Sequence, residues 1–125
     1  MYKILIIEDD AFLRKLLAEK LAREGFQVKE TAGGKDAMEH LAQEVPHAVL
    51  LDLVMPGVDG FQILQEIRKN PASKNIPVIV LSNLGEQEHV DRARSLGADD
   101  YLIKAHFILD EIVERVSALI AKRYV

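Results

Sequence analysis

Five short apolar segments alternate with helical patterns along the chain. Four of them are continuous runs of apolar side chains, at residues 4–7, 48–51, 76–81 and 101–103. Continuous runs of this length are typical of strands buried on both faces, as in a parallel sheet. The fifth segment, 26–29, alternates apolar and polar positions, which predicts an edge strand with one wet face.

Each strand segment is followed by apolar residues at helical spacing. The first helical pattern ends before Gly25, and the fourth ends before Gly97, both of which we interpret as C-terminal stops. The five patterns are carried by Leu13, Leu16, Leu17 and Leu21; Ala37, Met38 and Leu41; Phe61, Leu64 and Ile67; Val90, Ala93 and Leu96; and Leu109, Ile112, Val113, Val116 and Ile120. This alternation predicts one α/β domain over residues 1–125. We expect a parallel sheet, helices on both faces and right-handed crossovers.

Composition narrows the function classes. A chain of 125 residues, 49% hydrophobic and 29% charged, suits one globular core. A net charge of -4 lacks the excess of positive charge that is typical of nucleic-acid-binding domains, so we expect no direct nucleic-acid binding. The absence of cysteine excludes disulfides and thiolate metal sites. The first apolar run is too short for a signal peptide or a membrane span, so we expect no membrane contact and a cytoplasmic location.

Polar side chains stand where the strand segments end. The acidic run 8–10 follows the segment 4–7, Asp52 follows 48–51, Ser82 follows 76–81 and Lys104 follows 101–103. In parallel α/β sheets, sites form outside the carboxyl ends of the strands. The sequence therefore predicts carboxylates, a hydroxyl and an amine at the same edge of one sheet.

Each of these side chains alone has a structural explanation. Asp9 or Asp10 could cap the first helix, and Ser82 could cap the fourth. Lys104 could be a solvated loop residue. Asp52 differs, because it lies in the apolar run 50–53, where a carboxylate is costly to desolvate. Independent caps would not need to fall at four strand ends, so we favour a shared site.

The residue types indicate phosphoryl chemistry. Carboxylates of Glu8, Asp9 and Asp52 in one pocket would raise one another's pKa unless a cation joined them. Oxygen ligands of this kind suit Mg²⁺. Lys104 would neutralise an anionic oxygen and Ser82 would donate a hydrogen bond. Positioning and charge neutralisation are what phosphoryl transfer requires, and an aspartate can be the attacking group.

Other chemistries lack their motifs. There is no P-loop, and no GxGxxG follows the first strand, so we expect no organic cofactor. The scattered aromatic residues offer no stacking platform for bases. The four histidines show no metal-ligand spacing; we expect His40, His47 and His89 on solvated surfaces and His106 in a loop near the pocket.

These segments resemble the receiver domains of two-component response regulators, of both the chemotaxis type and the transcription-factor type. The matching stretches are residues 4–10, 51–60, 80–82 and 97–104, in this order. The resemblance covers essentially the whole chain. It implies a flavodoxin-like (βα)5 doubly wound sheet with strand order 2-1-3-4-5.

The resemblance also implies roles at the site. Asp52 would be the phosphoacceptor. Glu8 and Asp9, together with Asp52 and the backbone carbonyl of Val54, would hold Mg²⁺. Lys104 would contact the phosphoryl group. The domain would not be an enzyme but a phosphoacceptor that promotes its own phosphorylation and slow dephosphorylation.

Switching and partners follow from the same resemblance. Ser82 and Tyr101 would be the switch residues, with the Tyr101 ring turning inward as the Ser82 hydroxyl moves toward the phosphoryl group. A sensor histidine kinase or a phosphotransfer protein would be the donor. A downstream protein or output domain would bind the face made by the fourth helix, fifth strand and fifth helix. A homodimer could use charged positions on that side, namely Asp99, Asp100, Glu111 and Arg115.

Four positions depart from the usual receiver pattern. Ala105 follows Lys104 where a proline in a cis peptide is usual, which leaves the cis or trans state of this bond open. Asn83 stands at a position that is usually small, where it could restrict access to the acceptor or point outward. Val54 and Leu84 stand where fast self-dephosphorylating receivers often have polar residues. We therefore expect slow hydrolysis of the acyl phosphate.

Three alternatives stay open. A degenerate receiver would act as a phosphorylation-independent binding module. An aspartate-dependent phosphatase would usually carry a second aspartate where this chain has Val54. A flavin-binding protein of the same fold would need a phosphate loop after the first strand, where the acidic run 8–10 would repel phosphate.

Overall fold

A computed structural model of the chain describes residues 1–124 and contains one α/β domain; Val125 lies outside the described residues. Seven strands are present in the described part, in the order β1 (Lys3–Ile7), β2 (Gln27–Thr31), β3 (Ala48–Leu51), β4 (Val54–Met55), β5 (Val58–Asp59), β6 (Val78–Ser82) and β7 (Asp100–Ile103). Five strands form a parallel sheet in the order β2-β1-β3-β6-β7. Counted within that sheet alone, the order is 2-1-3-4-5, so the expected flavodoxin-like arrangement is confirmed.

Five α-helices alternate with the strands of the sheet, and one 3-10 turn follows the last strand. The helices are α1 (Ala11–Arg23), α2 (Gly34–Gln43), α3 (Gly60–Lys69), α4 (Gln87–Ser95) and α5 (Leu109–Arg123), and the 3-10 turn is Lys104–His106. Gly25 and Gly97 follow α1 and α4 with φ of 94° and 102°, a conformation that favours glycine. Both predicted helix stops are therefore confirmed.

The core has two layers, one on each face of the sheet. Alternate residues of β1 separate them: Leu5 and Ile7 pack in one layer, and Ile4 and Ile6 in the other. The first layer includes buried side chains of α2, α3 and α4, and the second includes those of α1 and α5. Since every strand of the sheet except β2 is covered on both faces, the apolar runs are continuous, as the sequence predicts.

Three details differ from the sequence prediction. The fourth strand begins at Val78 rather than 76, because Pro77 has no N–H to donate to a sheet. The second strand runs to Thr31, whose side chain is buried. A short antiparallel hairpin of β4 and β5 follows β3, closed by Gly57 with φ of 76°. Strands of two residues carry no periodicity, so the sequence shows only a turn there.

No helix within residues 1–124 combines the length and the apolar character that crossing a membrane requires.

Candidate functional site

The amine of Lys104 lies between two buried carboxylates at the carboxyl edge of the sheet. Its Nζ is 2.6 Å from Oε1 of Glu8 and 3.2 Å from Oδ2 of Asp52. Glu8 is 2% exposed and Asp52 is 5% exposed. Each residue stands directly after its strand or, for Lys104, opens the 3-10 turn after β7. Parallel strands thus bring together three residues that are distant in sequence.

Asp9 completes a group of three carboxylates. One oxygen from each of Glu8, Asp9 and Asp52 lies within 4.8 Å of the others, and Asp9 is exposed. Three carboxylate oxygens at this spacing, open to water through Asp9, fit a hard divalent cation that keeps part of its water shell. Asp10 does not join the group through its side chain, because its Oδ1 caps α1 by accepting from Phe12 N and Leu13 N.

Burial sets the protonation of this group. Desolvation raises the pKa of Glu8 to about 7, although hydrogen bonds from Lys104 and from Asp10 N oppose the rise. For Lys104, burial lowers the pKa, but the hydrogen bond to Glu8 and the charge of Asp52 outweigh it and raise the pKa overall. Three carboxylates thus share one lysine, an arrangement that favours a further cation.

The hairpin after β3 orients the Asp52 carboxylate. Val54 N donates to Oδ1 of Asp52 at 3.2 Å, while Lys104 holds Oδ2. The Val54 side chain points outward and is 56% exposed. At the end of the hairpin, Asp59 caps α3 by accepting from Phe61 N at 2.9 Å.

Ser82 and Tyr101 lie behind the carboxylates. Ser82 ends β6 and is 0% exposed, and its Oγ accepts from Leu84 N at 3.3 Å. The Tyr101 ring is turned inward, 7% exposed, and its hydroxyl donates to the Leu84 carbonyl at 2.6 Å. The two candidate switch residues thus meet at the β6–α4 loop, with Tyr101 in the inward position.

The structure resolves two open points of the sequence analysis. All peptide bonds within the described residues are trans, so the Lys104–Ala105 bond is trans and the lysine still reaches the carboxylates. Asn83 is exposed, in line with an outward-pointing side chain.

Strand β2 contributes more than the sequence indicates. Thr31 O accepts from Glu8 N at 3.1 Å, and Thr31 Oγ1 donates to Ile6 O at 2.7 Å. These bonds fix the end of β1, where the acidic residues begin. The sequence signal is weak, since a buried threonine at the end of an alternating strand has no motif of its own.

The charged residues considered for dimer contacts make bonds within the chain. Asp99 accepts from Arg68 and Arg123, Asp100 pairs with Arg115 at 3.4 Å, and Glu111 accepts from Ile108 N. A homodimer through these positions stays a prediction.

The expectation that three histidines lie on solvated surfaces is only partly met, because His40, His47 and His89 are all half-buried and the last two pack against aromatic rings. His47 is half-buried between the rings of Tyr2 and Tyr124, with ring centroids 5.1 and 5.2 Å away. His89 is half-buried beside Phe61, at 6.3 Å between centroids. The aromatic partners of His47 and His89 are distant in sequence, so the spacing gave no sign of them.

His89 also lies near two exposed carboxylates. Ligand atoms of Glu86, Glu88 and His89 fall within 4.8 Å of one another, which the sequence spacing did not suggest. This group stands at the N-terminus of α4, where the helix dipole disfavours a cation.

Comparison with known proteins places the chain in one family. The family model for the response regulator receiver domain matches residues 4–117. The probable transcriptional regulator ycf27 of Guillardia theta is 37% identical over 120 residues, which is 96% of this chain and 46% of that protein. The phosphate regulon transcriptional regulatory protein PhoB of Rhizobium meliloti (strain 1021) is 34% identical over 120 residues, 96% of this chain and 52% of that protein. The chain thus spans about half the length of these curated relatives.

Solved structures agree. The receiver domain of the Francisella response regulator 1452 superimposes with a TM-score of 0.89 at 30% identity, covering 98% of this chain and 99% of that one. The Mn²⁺-bound form of response regulator Rcp1 gives a TM-score of 0.81 at 28% identity, covering 94% and 93%. This chain therefore belongs to the family of response regulator receiver domains, which accept phosphoryl groups in two-component signalling.

Proposed function

We propose that Asp52 is the residue that accepts the phosphoryl group in this receiver domain. The observation that carries this proposal is the Lys104 amine, which lies within 3.2 Å of Asp52 and 2.6 Å of Glu8. A lysine and an acidic pair around one buried aspartate supply the positioning and charge neutralisation that phosphoryl transfer needs.

The metal in this proposal is Mg²⁺. Glu8, Asp9 and Asp52 would hold it, since one carboxylate oxygen of each lies within 4.8 Å of the others. The resemblance to receiver domains adds the backbone carbonyl of Val54 as a further ligand. When bound, Mg²⁺ supplies positive charge to the oxygens of the transferring group. The Mn²⁺-bound Rcp1 structure supports a divalent cation in this family.

The transfer itself is an in-line displacement. A carboxylate oxygen of Asp52 forms a bond to phosphorus, and the bond from phosphorus to the donor atom breaks. With a phosphohistidine donor, the electron pair of the P–N bond stays on the ring nitrogen. Lys104 moves from Glu8 toward the phosphoryl oxygens and stabilises their charge.

The switch runs through the buried residues behind the acceptor. The Ser82 hydroxyl turns toward the phosphoryl oxygens and gives up its contact with Leu84 N. The Tyr101 hydroxyl holds the same loop through the Leu84 carbonyl, so this movement reaches α4. The phosphoryl group then favours one of two conformers of the loop and of the α4, β7 and α5 face.

The partners follow from the family. A sensor histidine kinase or phosphotransfer protein is the donor, and a downstream protein or output domain reads the α4, β7 and α5 face. The curated relatives include transcriptional regulators about twice as long as this chain. We assign no direct contact with nucleic acid to this domain. The domain is not an enzyme with a separate substrate, because its own side chain is the group that is modified.

Intact-mass analysis after incubation with acetyl phosphate and Mg²⁺ tests the proposal. The wild type and Asp36→Asn, which alters an exposed aspartate elsewhere, should gain one phosphoryl adduct. Asp52→Asn and Asp52→Ala should gain none, and chelation of Mg²⁺ should abolish the adduct. An unmodified wild type would support the phosphorylation-independent binding module instead.

A further inference from the structure

The β4–β5 hairpin is the structural support of Asp52. It carries Val54, whose N–H holds Oδ1 of Asp52 and whose carbonyl is a proposed metal ligand. The two ends of the hairpin lie close together, because Gly60 N donates to Leu53 O at 3.0 Å. A shift of residues 54–59 would therefore move both a metal ligand and a hydrogen bond to the acceptor.

Gly60 bounds the hairpin on one side. A Cβ at Gly60 would lie 2.4 Å from Leu53 Cα, 2.7 Å from Asp52 O and 2.8 Å from Leu53 O. These are backbone atoms, which cannot rotate away. Only glycine allows α3 to begin so close to the acceptor strand.

Gly34 bounds the hairpin on the opposite side. It is the buried first residue of α2, and a Cβ there would lie 2.5 to 2.9 Å from Cγ1, Cγ2 and Cβ of Val58. The Cβ of Val58 is fixed by the backbone, so a rotamer change cannot relieve the contact. The preceding residue, Gly33, has no atom within 4 Å of such a Cβ.

The segment that leads into α2 also contacts the acidic pair. Thr31 binds the backbone of Glu8 and Ile6, and Gly34 touches Val58 three residues later. Residues 31–34 therefore contact both parts of the carboxylate group, the end of β1 and the hairpin after β3. The start of α2 therefore fixes the distance between the end of β1 and the hairpin after β3.

We propose that Gly34 is a positioning residue for the phosphorylation site: the start of α2, pressed against Val58, holds the hairpin at the distance that metal binding requires. Gly60 limits the position of the hairpin from the opposite side. The inference rests on the proposed function, because it assigns the hairpin to the metal and to the acceptor. It adds α2, which carries none of the ligands, to the machinery of the site.

The test compares four variants with the wild type. Gly34→Ala introduces the contact, and Gly33→Ala is the matched control one residue away in open space. Gly34→Ala combined with Val58→Ala removes the two closest atoms and leaves a contact of 2.9 Å. Gly25→Ala, strained by a φ of 94° after α1, is a control for destabilisation far from the hairpin.

Magnesium affinity, read from the amide NMR signals of Val54 and Asp10, is the main readout. Gly34→Ala should weaken it by about tenfold, as displaced supports of metal ligands do. It should also slow phosphorylation by acetyl phosphate. Gly33→Ala and Gly25→Ala should match the wild type, and the double variant should recover part of the loss.

Three outcomes would overturn the inference. Gly34→Ala could bind magnesium as the wild type does, Gly25→Ala could weaken binding equally, or the double variant could recover nothing. If Gly34→Ala did not fold, the single variant Val58→Ala would test the inference instead. It removes the contact between Gly34 and the Val58 methyl groups, and it should weaken magnesium binding without unfolding the chain. A wild type that binds magnesium but gains no phosphoryl adduct contradicts Asp52 as acceptor, while the positioning role is judged on affinity. A wild type without affinity for magnesium contradicts both.

Discussion

Lys104 Nζ lies closer to Glu8 than to Asp52, at 2.6 Å against 3.2 Å. The lysine therefore serves first as the counter-ion of the buried glutamate. Any cation that binds the carboxylates competes with Lys104 for Glu8. Metal binding and release of the lysine toward the acceptor are thus linked through one side chain.

Glu8 predicts a pH-dependent stability in the absence of metal. Burial raises its pKa from 4.5 to about 7 in the folded chain. Between these values the folded state binds more protons than the unfolded state, so the free energy of unfolding should fall as pH rises through this window. Glu8→Gln removes the group and should flatten the fall. Urea unfolding in the presence of a chelator, repeated across this pH range, measures the free energy of unfolding. Identical pH profiles for the wild type and Glu8→Gln would rule out Glu8 as the cause of the pH dependence.

Magnesium should stabilise the chain. Because Mg²⁺ binds only the folded carboxylate group, a concentration of about ten times its Kd should add about 1.4 kcal/mol and raise Tm by about 5 °C. The increase should be smaller below the Glu8 pKa, where a proton must leave before the metal binds. Thermal unfolding at matched ionic strength checks this, with Asp9→Asn as the variant that should lose the shift. An equal shift in that variant would indicate binding elsewhere.

Arg68 should be a large contributor to stability at the opposite edge of the sheet. Its guanidinium donates to the carbonyls of Gly97, Lys74 and Ile76 and to the Asp99 carboxylate. Arg68→Ala would leave these acceptors without their donor, at a cost of about 2 to 4 kcal/mol. Its neighbour Lys69 is exposed, with only a 3.9 Å ion pair, so Lys69→Ala should cost less than about 0.5 kcal/mol.

Urea unfolding compares the stability of Arg68→Ala and Lys69→Ala, and equal losses of stability in the two variants would contradict this role for Arg68. Phosphorylation of folded Arg68→Ala should be unchanged, because the bonds of Arg68 lie at the amino ends of β6 and β7.

The sequence predicts the strand ends better than it predicts the contacts between them. Glu8, Asp52, Ser82 and Lys104 could be placed at one edge because parallel strands share a direction and their apolar runs have clear ends. The preference of Lys104 for Glu8 could not be predicted, since it depends on side-chain geometry rather than on spacing.

Packing between distant segments could not be predicted from the sequence either. Arg68 donates to Gly97, which is 29 residues away, and Gly34 presses on Val58 across two elements. Both interactions need a glycine for reasons of space. In a sequence, such a glycine looks the same as a turn glycine such as Gly33.

Tyr101 should restrain the β6–α4 loop. Its hydroxyl donates to the Leu84 carbonyl at 2.6 Å from a buried ring. Tyr101→Phe keeps the ring but loses the bond, which should cost about 1 kcal/mol and speed amide hydrogen exchange in residues 83–86. Tyr2→Phe is the matched control, because its hydroxyl bonds Tyr124 O far from this loop. Exchange that stays as slow as in the control would show that the hydroxyl does not restrain the loop.

The acyl phosphate on Asp52 should be long-lived. Hydrolysis needs a water oriented toward phosphorus, and Val54, the side chain beside the acceptor, is apolar and 56% exposed. Leu84 cannot supply an orienting group either, since its side chain is apolar and its carbonyl already accepts from Tyr101. Val54→Asn would place an amide near the phosphoryl group and should speed decay by about tenfold.

Decay of the phosphorylated protein, followed by intact mass after removal of acetyl phosphate, measures this lifetime. Val54→Ala separates the two effects of the substitution, because it removes shielding without adding a hydrogen-bonding group. If steric shielding by Val54 were the whole cause of slow decay, the alanine variant would decay at least as fast as the asparagine variant. If the wild type decayed as fast as Val54→Asn, water would reach phosphorus without an orienting side chain, and the link between Val54 and a long-lived signal would be wrong.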